Sequence, residues 1–185
     1  MLTRRRIFRP ARSPRRWRGP LIALGVVAAV AGFGGIGLPP QLLGNSPQEQ
    51  EWTAVAAEVR VVDGETLRLA DRVVRLRGLE APARGEACLD SAGRSFDCGG
   101  GAAEALARLV AGRDLSCRVR GRDRFGRALG QCEAGGVALN GALVSAGWAL
   151  GREGNLPTLE ASAQAGGRGL WTAGGQPPAD WRGRR

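Results

Sequence analysis

The segment Val59-Arg60-Val61-Val62-Asp63-Gly64-Glu65-Thr66-Leu67-Arg68-Leu69-Ala70-Asp71-Arg72-Val73-Val74-Arg75-Leu76 decides the fold class of this 185-residue chain. Apolar residues alternate with arginines in it: Val59 and Val61 flank Arg60, Leu67 and Leu69 flank Arg68, and Val74 and Leu76 flank Arg75. A period of two sends successive side chains to opposite faces, so each run reads as a half-buried strand. Asp63-Gly64 is a turn signal between the first two runs, and Asp71-Arg72 a tighter one between the second and third. Three consecutive antiparallel strands therefore form a meander.

Downstream the period changes. From Gly100 to Ala111, Ala102, Leu106, Leu109 and Val110 share one face and Gly112 marks a stop, the pattern of a short amphipathic helix laid on the sheet. Leu115 to Arg120 and Arg127 to Cys132 return to strand periodicity around Asp123-Arg124-Phe125-Gly126. With that turn centred between 124 and 125, Cys117 falls opposite Cys132, where directly opposed Cα atoms lie within disulfide reach. The expected pairs are Cys117 with Cys132, leaving Cys88 with Cys98 to close the loop before the helix. The absence of histidine and of any C-x-x-C spacing argues against structural zinc. Asn140 is the expected N-cap of a second helix through about Gly147, a third follows Pro157 and ends near Gly166, and Gly169-Leu170-Trp171 is expected to pack back on the domain. Five strands interrupted by a helix after the third define the expected fold class: mainly β with α, a five-stranded OB-fold barrel with about three helices.

The net charge of +10 does not belong to that domain. Eight of the 27 basic residues are arginines within residues 1–18, which hold no acid, and the remainder carries 19 basic against 17 acidic residues. The high charge is therefore no argument that the folded part binds polyanions. After the arginines comes an uncharged run from Leu21 to Leu38, closed by Pro39-Pro40 and just long enough to span a bilayer. Two readings are open: an uncleaved anchor with its basic leader in the cytoplasm, or a signal peptide cut near Ala29-Val30-Ala31. Continuation of the apolar run past that site favours the anchor. Both export the domain, to a periplasm-facing position on the inner membrane or to secretion, and an even set of four cysteines suits an oxidising compartment. The expected organisation is a leader over 1–20, an anchor or signal over 21–38, a linker over 39–53, the domain over 54–174 and a basic tail over 175–185.

Chemistry is concentrated in Val61-Val62-Asp63-Gly64-Glu65-Thr66, in Val74-Arg75-Leu76-Arg77-Gly78-Leu79-Glu80-Ala81-Pro82-Ala83, and in Asp123-Arg124-Phe125-Gly126-Arg127. In order and spacing these stretches resemble the thermonuclease (staphylococcal-nuclease-like) family, whose pattern reads V-x-D-G-D-T, then V-R-L-x-G-I-D-A-P-E, then D-x-Y-G-R. The resemblance implies calcium-dependent hydrolysis of nucleic-acid phosphodiesters, with Glu65 and Glu80 at the calcium-ligand positions, Thr66 beside the first, and Arg75 and Arg127 on the phosphate. The glutamate that follows A-P in the family acts as general base or orients the attacking water; here Ala83 stands there and can accept no proton. Glu86, three residues on, is the candidate substitute. Glu65 and Glu80 are each a methylene longer than the family's aspartates, a reach of about 1.5 Å more. The aromatic residues that follow G-W-A in the family are replaced by Gly151-Arg152-Glu153, and Phe125 stands for the tyrosine of the turn.

Two functions follow. One is an exported, membrane-anchored thermonuclease-like enzyme acting on nucleic acid with calcium, weakened by Ala83. The other is a non-catalytic OB-fold module that uses Arg75 and Arg127 to bind a phosphate-bearing or polyanionic ligand, or that meets an envelope protein. The enzyme requires Glu65, Glu80 and a third acid to converge beside the arginines. Arg75 and Glu80, five apart, fall on opposite faces of a regular strand, so sharing a site demands a bend, expected at Gly78.

Overall fold

A computed structural model describes residues 48–177. The leader and the apolar run at 21–38 lie outside the described residues; within them no helix is long and apolar enough to cross a membrane. The meander forms as the alternation requires: β2 (Val59–Val61), β3 (Thr66–Leu69) and β4 (Arg72–Leu76) pair antiparallel in sequence order. Leu67, Leu69, Val74 and Leu76 are fully buried while Arg68 is exposed. Each such leucine contributes about 1.5–3 kcal/mol of burial. Leu69 pairs with Arg72, so the second turn is Ala70-Asp71 rather than Asp71-Arg72, with Ala70 in the left-handed region at φ 52°.

The helix α1 (Cys98–Val110) starts two residues earlier than expected, because Asp97 caps it by accepting a hydrogen bond from the Gly100 N–H at 2.7 Å. β8 (Leu115–Arg122) and β9 (Ala128–Ala134) form the second hairpin, with Cys117 opposite Cys132. Both expected disulfides are present. A bulge between Val119 and Arg122 shifts the register towards the turn, a feature that residue spacing alone does not reveal.

β9 runs parallel to β4, bringing Arg75 opposite Leu129, two residues past Arg127. The hydrogen-bonded order β8-β9-β4-β3-β2 is that of a mixed OB-like sheet, and it does not close into the expected barrel. The free edge of β8 is taken instead by β1 (Gln50–Ala54). These residues fall in the stretch expected as linker. Trp52 and Ala54 turn inward between exposed Glu51 and Thr53, an alternation too short to stand out beside Pro47-Gln48-Glu49. The short strand β10 (Val137–Ala138) adds to β9.

Outside the main sheet, β5 (Leu79–Glu80) pairs with β11 (Leu150–Gly151), and β6 (Ala87–Leu89) with β7 (Ser95–Asp97). Among the described residues, the helices α2 (Leu139–Ser145) and α3 (Leu156–Ala165) complete the α content, with 3-10 turns at Ala56–Glu58 and Gly169–Gly174. Asn140 is not the N-cap of α2, which is Ala138. Its buried side chain instead accepts from the Cys132 N–H at 3.0 Å and donates to the Arg77 carbonyl at 2.8 Å. A buried amide is satisfied in this way and ties α2 to β4 and β9. Leu170 and Trp171 are buried beside the Cys88–Cys98 disulfide, and Gln176, expected in the tail, bridges to Leu89.

Candidate active site

Five segments deliver side chains to one cavity of about 390 Å³ bordered by Glu65, Arg75, Glu80, Ala83, Glu86 and Arg127, among others. Glu65 closes the β2–β3 turn, and its N–H is held by Asp63 Oδ1 at 2.9 Å. Arg75 comes from β4, whose bend at Gly78, φ 77°, brings Glu80 of β5 into the same cavity. That bend is the one demanded by the five-residue spacing. Arg127 enters from the β8–β9 turn, placed beside Arg75 by the parallel pairing of β4 with β9.

Each arginine is oriented by an acid. Arg75 Nε donates to Glu65 Oε1 at 2.7 Å, and Arg127 Nε donates to Asp123 Oδ2 at 2.7 Å. Among the described residues, neither guanidinium makes a further side-chain hydrogen bond through its terminal amino groups. The two forks are therefore fixed at Nε and present their outer N–H groups, the arrangement for a bidentate hold on a phosphate. The rim carries Phe125, exposed, with the guanidiniums of Arg124 and Arg127 at 4.8 and 5.4 Å from its ring centroid.

The electrostatics follow from burial. Desolvation pushes the Glu65 carboxyl above its usual value, although Arg75 and the Ala81 N–H act the other way. Burial opposes the charge on Arg75, but Glu65, Asp123 and Glu80 together outweigh it and raise its pKa, so it stays protonated. These directions are compatible: Glu65 sits deeper than its partner, with 13% of its side chain exposed against 26% for Arg75.

Glu86 reaches the cavity through a local turn. Its N–H donates to the Ala83 carbonyl at 3.0 Å, and its carboxylate returns to accept from the Ala83 N–H at 3.0 Å. The Gly99 N–H donates to the Glu86 carbonyl at 3.0 Å, and the disulfide-bonded Cys98 Sγ lies in contact with the same oxygen at 3.3 Å, so the turn is pinned to the start of α1. A carboxylate thus lines the site from position 86 while position 83 supplies a methyl group. Gly99 packs directly on the Ala83 carbonyl, with no room for a Cβ. Gly99→Ala is expected to displace the 83–86 turn and cost about 1–3 kcal/mol in stability, read as a lower urea midpoint; an unchanged midpoint would show that the turn is not braced there.

Thr66 does not join the site. It is buried in β3, its hydroxyl has no hydrogen-bond partner among the described residues, and it does not border the cavity. Asp123 serves as the anchor for Arg127, and Arg152, read in the sequence only as a lost aromatic, pairs with Glu80 through Nε at 3.1 Å and Nη2 at 2.6 Å. No local sequence signal announces that contact, because it depends on the pairing of β11 with β5.

As a donor set for calcium the cavity fits poorly. Calcium takes six to eight oxygens. Here both Glu65 oxygens accept hydrogen bonds, from Arg75 Nε and the Ala81 N–H, and Glu80 is paired with Arg152. Among the described residues no three acidic, cysteine or histidine side chains gather as a metal-binding group.

A larger cavity of about 910 Å³, bordered by Arg118, Arg120, Glu133 and Glu153, lies apart from this cavity and mixes both signs of charge.

Comparison with known proteins agrees with the geometry. The family model described as Staphylococcal nuclease homologue matches residues 73–173, which include Arg75, Glu80, Glu86, Arg127 and Arg152. The succinoglycan biosynthesis protein ExoI of Rhizobium meliloti (strain 1021) is 38% identical over 125 residues, 64% of this chain; the match spans 65% of the relative's length. An uncharacterized endonuclease of Escherichia coli is 32% identical over 148 residues, 72% of this chain and 92% of its own. A probable staphylococcal-like nuclease, CAN1, of Oryza sativa subsp. japonica is 34% identical over 125 residues, 64% of this chain and 35% of its own. With the family match covering more than half of its length and its motif arginines meeting in one cavity, this chain belongs to the staphylococcal nuclease homologue family.

Proposed function

We propose that the domain holds nucleic-acid phosphodiesters between Arg75 and Arg127 and hydrolyses them slowly, with Glu86 as the base in place of the missing glutamate at position 83. The observation that carries this reading is the cavity itself. Two arginines anchored at Nε by Glu65 and Asp123 share it with the turn-held carboxylate of Glu86. Their outer N–H groups take the non-bridging oxygens and stabilise the charge that grows as phosphorus becomes five-coordinate. Glu86 accepts a proton from water as the water oxygen bonds to phosphorus; the ester P–O bond breaks and the leaving oxygen takes a proton from solvent. The Glu86 carboxylate starts from a hydrogen bond to a backbone N–H and three residues from the usual position. Misplacement by about 1 Å can cost a hundredfold, which is the reason for a slow reaction.

Ala83 favours a second reading, a phosphate-binding module without hydrolysis. The deciding experiment assays the purified full chain on single-stranded DNA and RNA, wild type beside Glu86→Gln and Ala83→Glu. Slow cleavage by wild type that falls about a hundredfold in Glu86→Gln, with binding retained, supports the hydrolase. Inert wild type with cleavage only in Ala83→Glu establishes the binding module. The two disulfides and the arginine-led apolar run at 21–38 support export to an oxidising compartment with the run as membrane anchor. Chymotrypsin treatment of intact and permeabilised cells tests that placement, since Trp52 and Phe125 are cut only from the side on which the domain lies.

A further inference from the structure

Three of the four acids that border the cavity have arginines where a metal site would have an ion. Glu65 is held by Arg75 and Asp123 by Arg127. Glu80 is held from outside the recognised motifs, by Arg152 at the end of β11. Arg152 is well built for that contact. Its N–H bonds the Gly78 carbonyl at 2.7 Å, fixing its backbone on the bend that also aims Glu80. Its Nε and Nη2 both donate to the same Glu80 oxygen, and Glu80 is the more buried partner, 17% exposed against 37%.

We propose that Arg152 supplies at Glu80 the positive charge that the family obtains from a divalent ion, so that this chain takes phosphate through Arg75 and Arg127 without calcium. An ion approaching Glu80 must either displace a guanidinium held by two hydrogen bonds or sit against its charge, and both weaken cation binding. Removing Arg152 leaves a largely buried carboxylate without its partner, beside the Glu65 carboxylate in the same cavity. That is a better cation site than the native one, because desolvated like charges favour a bound cation.

The test is calcium calorimetry on the full chain with no nucleic acid present, which separates this proposal from the hydrolase reading. Wild type is expected to show no saturable calcium binding below about 1 mM, the weak end of natural calcium sites. Arg152→Ala is expected to bind at least tenfold more tightly, and Glu80→Gln added to it to abolish the gain. Fluorescence anisotropy with labelled single-stranded DNA should give the same affinity in calcium and in a chelator. Wild-type binding of calcium as tight as that of Arg152→Ala overturns the proposal, as does DNA binding that is lost in the chelator. Should Arg152→Ala fail to fold, Arg152→Gln takes its place, and the wild-type titration stands by itself.

Discussion

Arg127→Ala is expected to lower cleavage of single-stranded DNA about 10²- to 10³-fold, the cost of removing one donor aimed at transition-state charge. Arg127 combines three features: a fixed guanidinium, an outer edge without a hydrogen-bond partner among the described residues, and a place in a turn that the adjoining pairing of β4 with β9 holds beside Arg75. Arg127→Lys keeps the charge and loses the fork, so it should recover only part of the activity. The turn must be shown intact, since Arg127 also supports it. Burial alone would raise the Asp123 carboxyl, but hydrogen bonds from the Arg127 side chain and the Arg127 and Phe125 N–H groups outweigh this and hold its pKa below the usual value. A depressed carboxyl contributes stability that is complete above its unfolded pKa and lost as pH falls through the folded one. Arg127→Ala should therefore flatten acid unfolding below pH 3.8 while leaving the far-ultraviolet spectrum at neutral pH unchanged. Wild-type activity in this variant would remove Arg127 from the chemistry.

Loss of the Cys117–Cys132 disulfide is expected to cost about 3 kcal/mol, the loop-closure entropy of a bridge spanning 15 residues. Both cysteines are buried in the main core between β8 and β9, so a double Cys→Ala variant adds a packing defect to the entropy term. Urea unfolding should show a clearly lower midpoint for the variant and for the wild type under reducing agent; equal midpoints would mean that the sheet alone sets stability. The Cys88–Cys98 pair should behave differently. Its Cys98 Sγ contacts the Glu86 carbonyl, so its removal is expected to reduce cleavage as well as stability. The contrast between the two pairs separates a core staple from a support of the site.

Much of this was legible before folding, and for local reasons. The three strands of the meander announce themselves because Val, Leu and Arg alternate with period two and one face is buried. The cysteine pairing was legible because a hairpin turn makes residues equidistant from its centre neighbours. What escaped were contacts with no sequence-local cause. β1 is held by the open edge of β8, and Asn140 looked like a cap because an exposed helix start and a buried amide bridge use the same residue. Glu86 was legible as a candidate substitute base, but the turn that folds its carboxylate back onto the Ala83 N–H was not.

By itself the sequence determined the family, the strand meander, both disulfides and the two motif arginines that meet in one cavity, because these rest on periodicity and on short motifs in a defined order. Only the tertiary structure decided which charges face one another. It coupled Arg75 to Glu65 and Arg152 to Glu80, opened the barrel at β8 and sealed Thr66 in the interior. The reason is physical: a charge's partner is whatever strand pairing brings within about 3 Å, and residues 72 apart, such as Glu80 and Arg152, carry no local trace of that meeting.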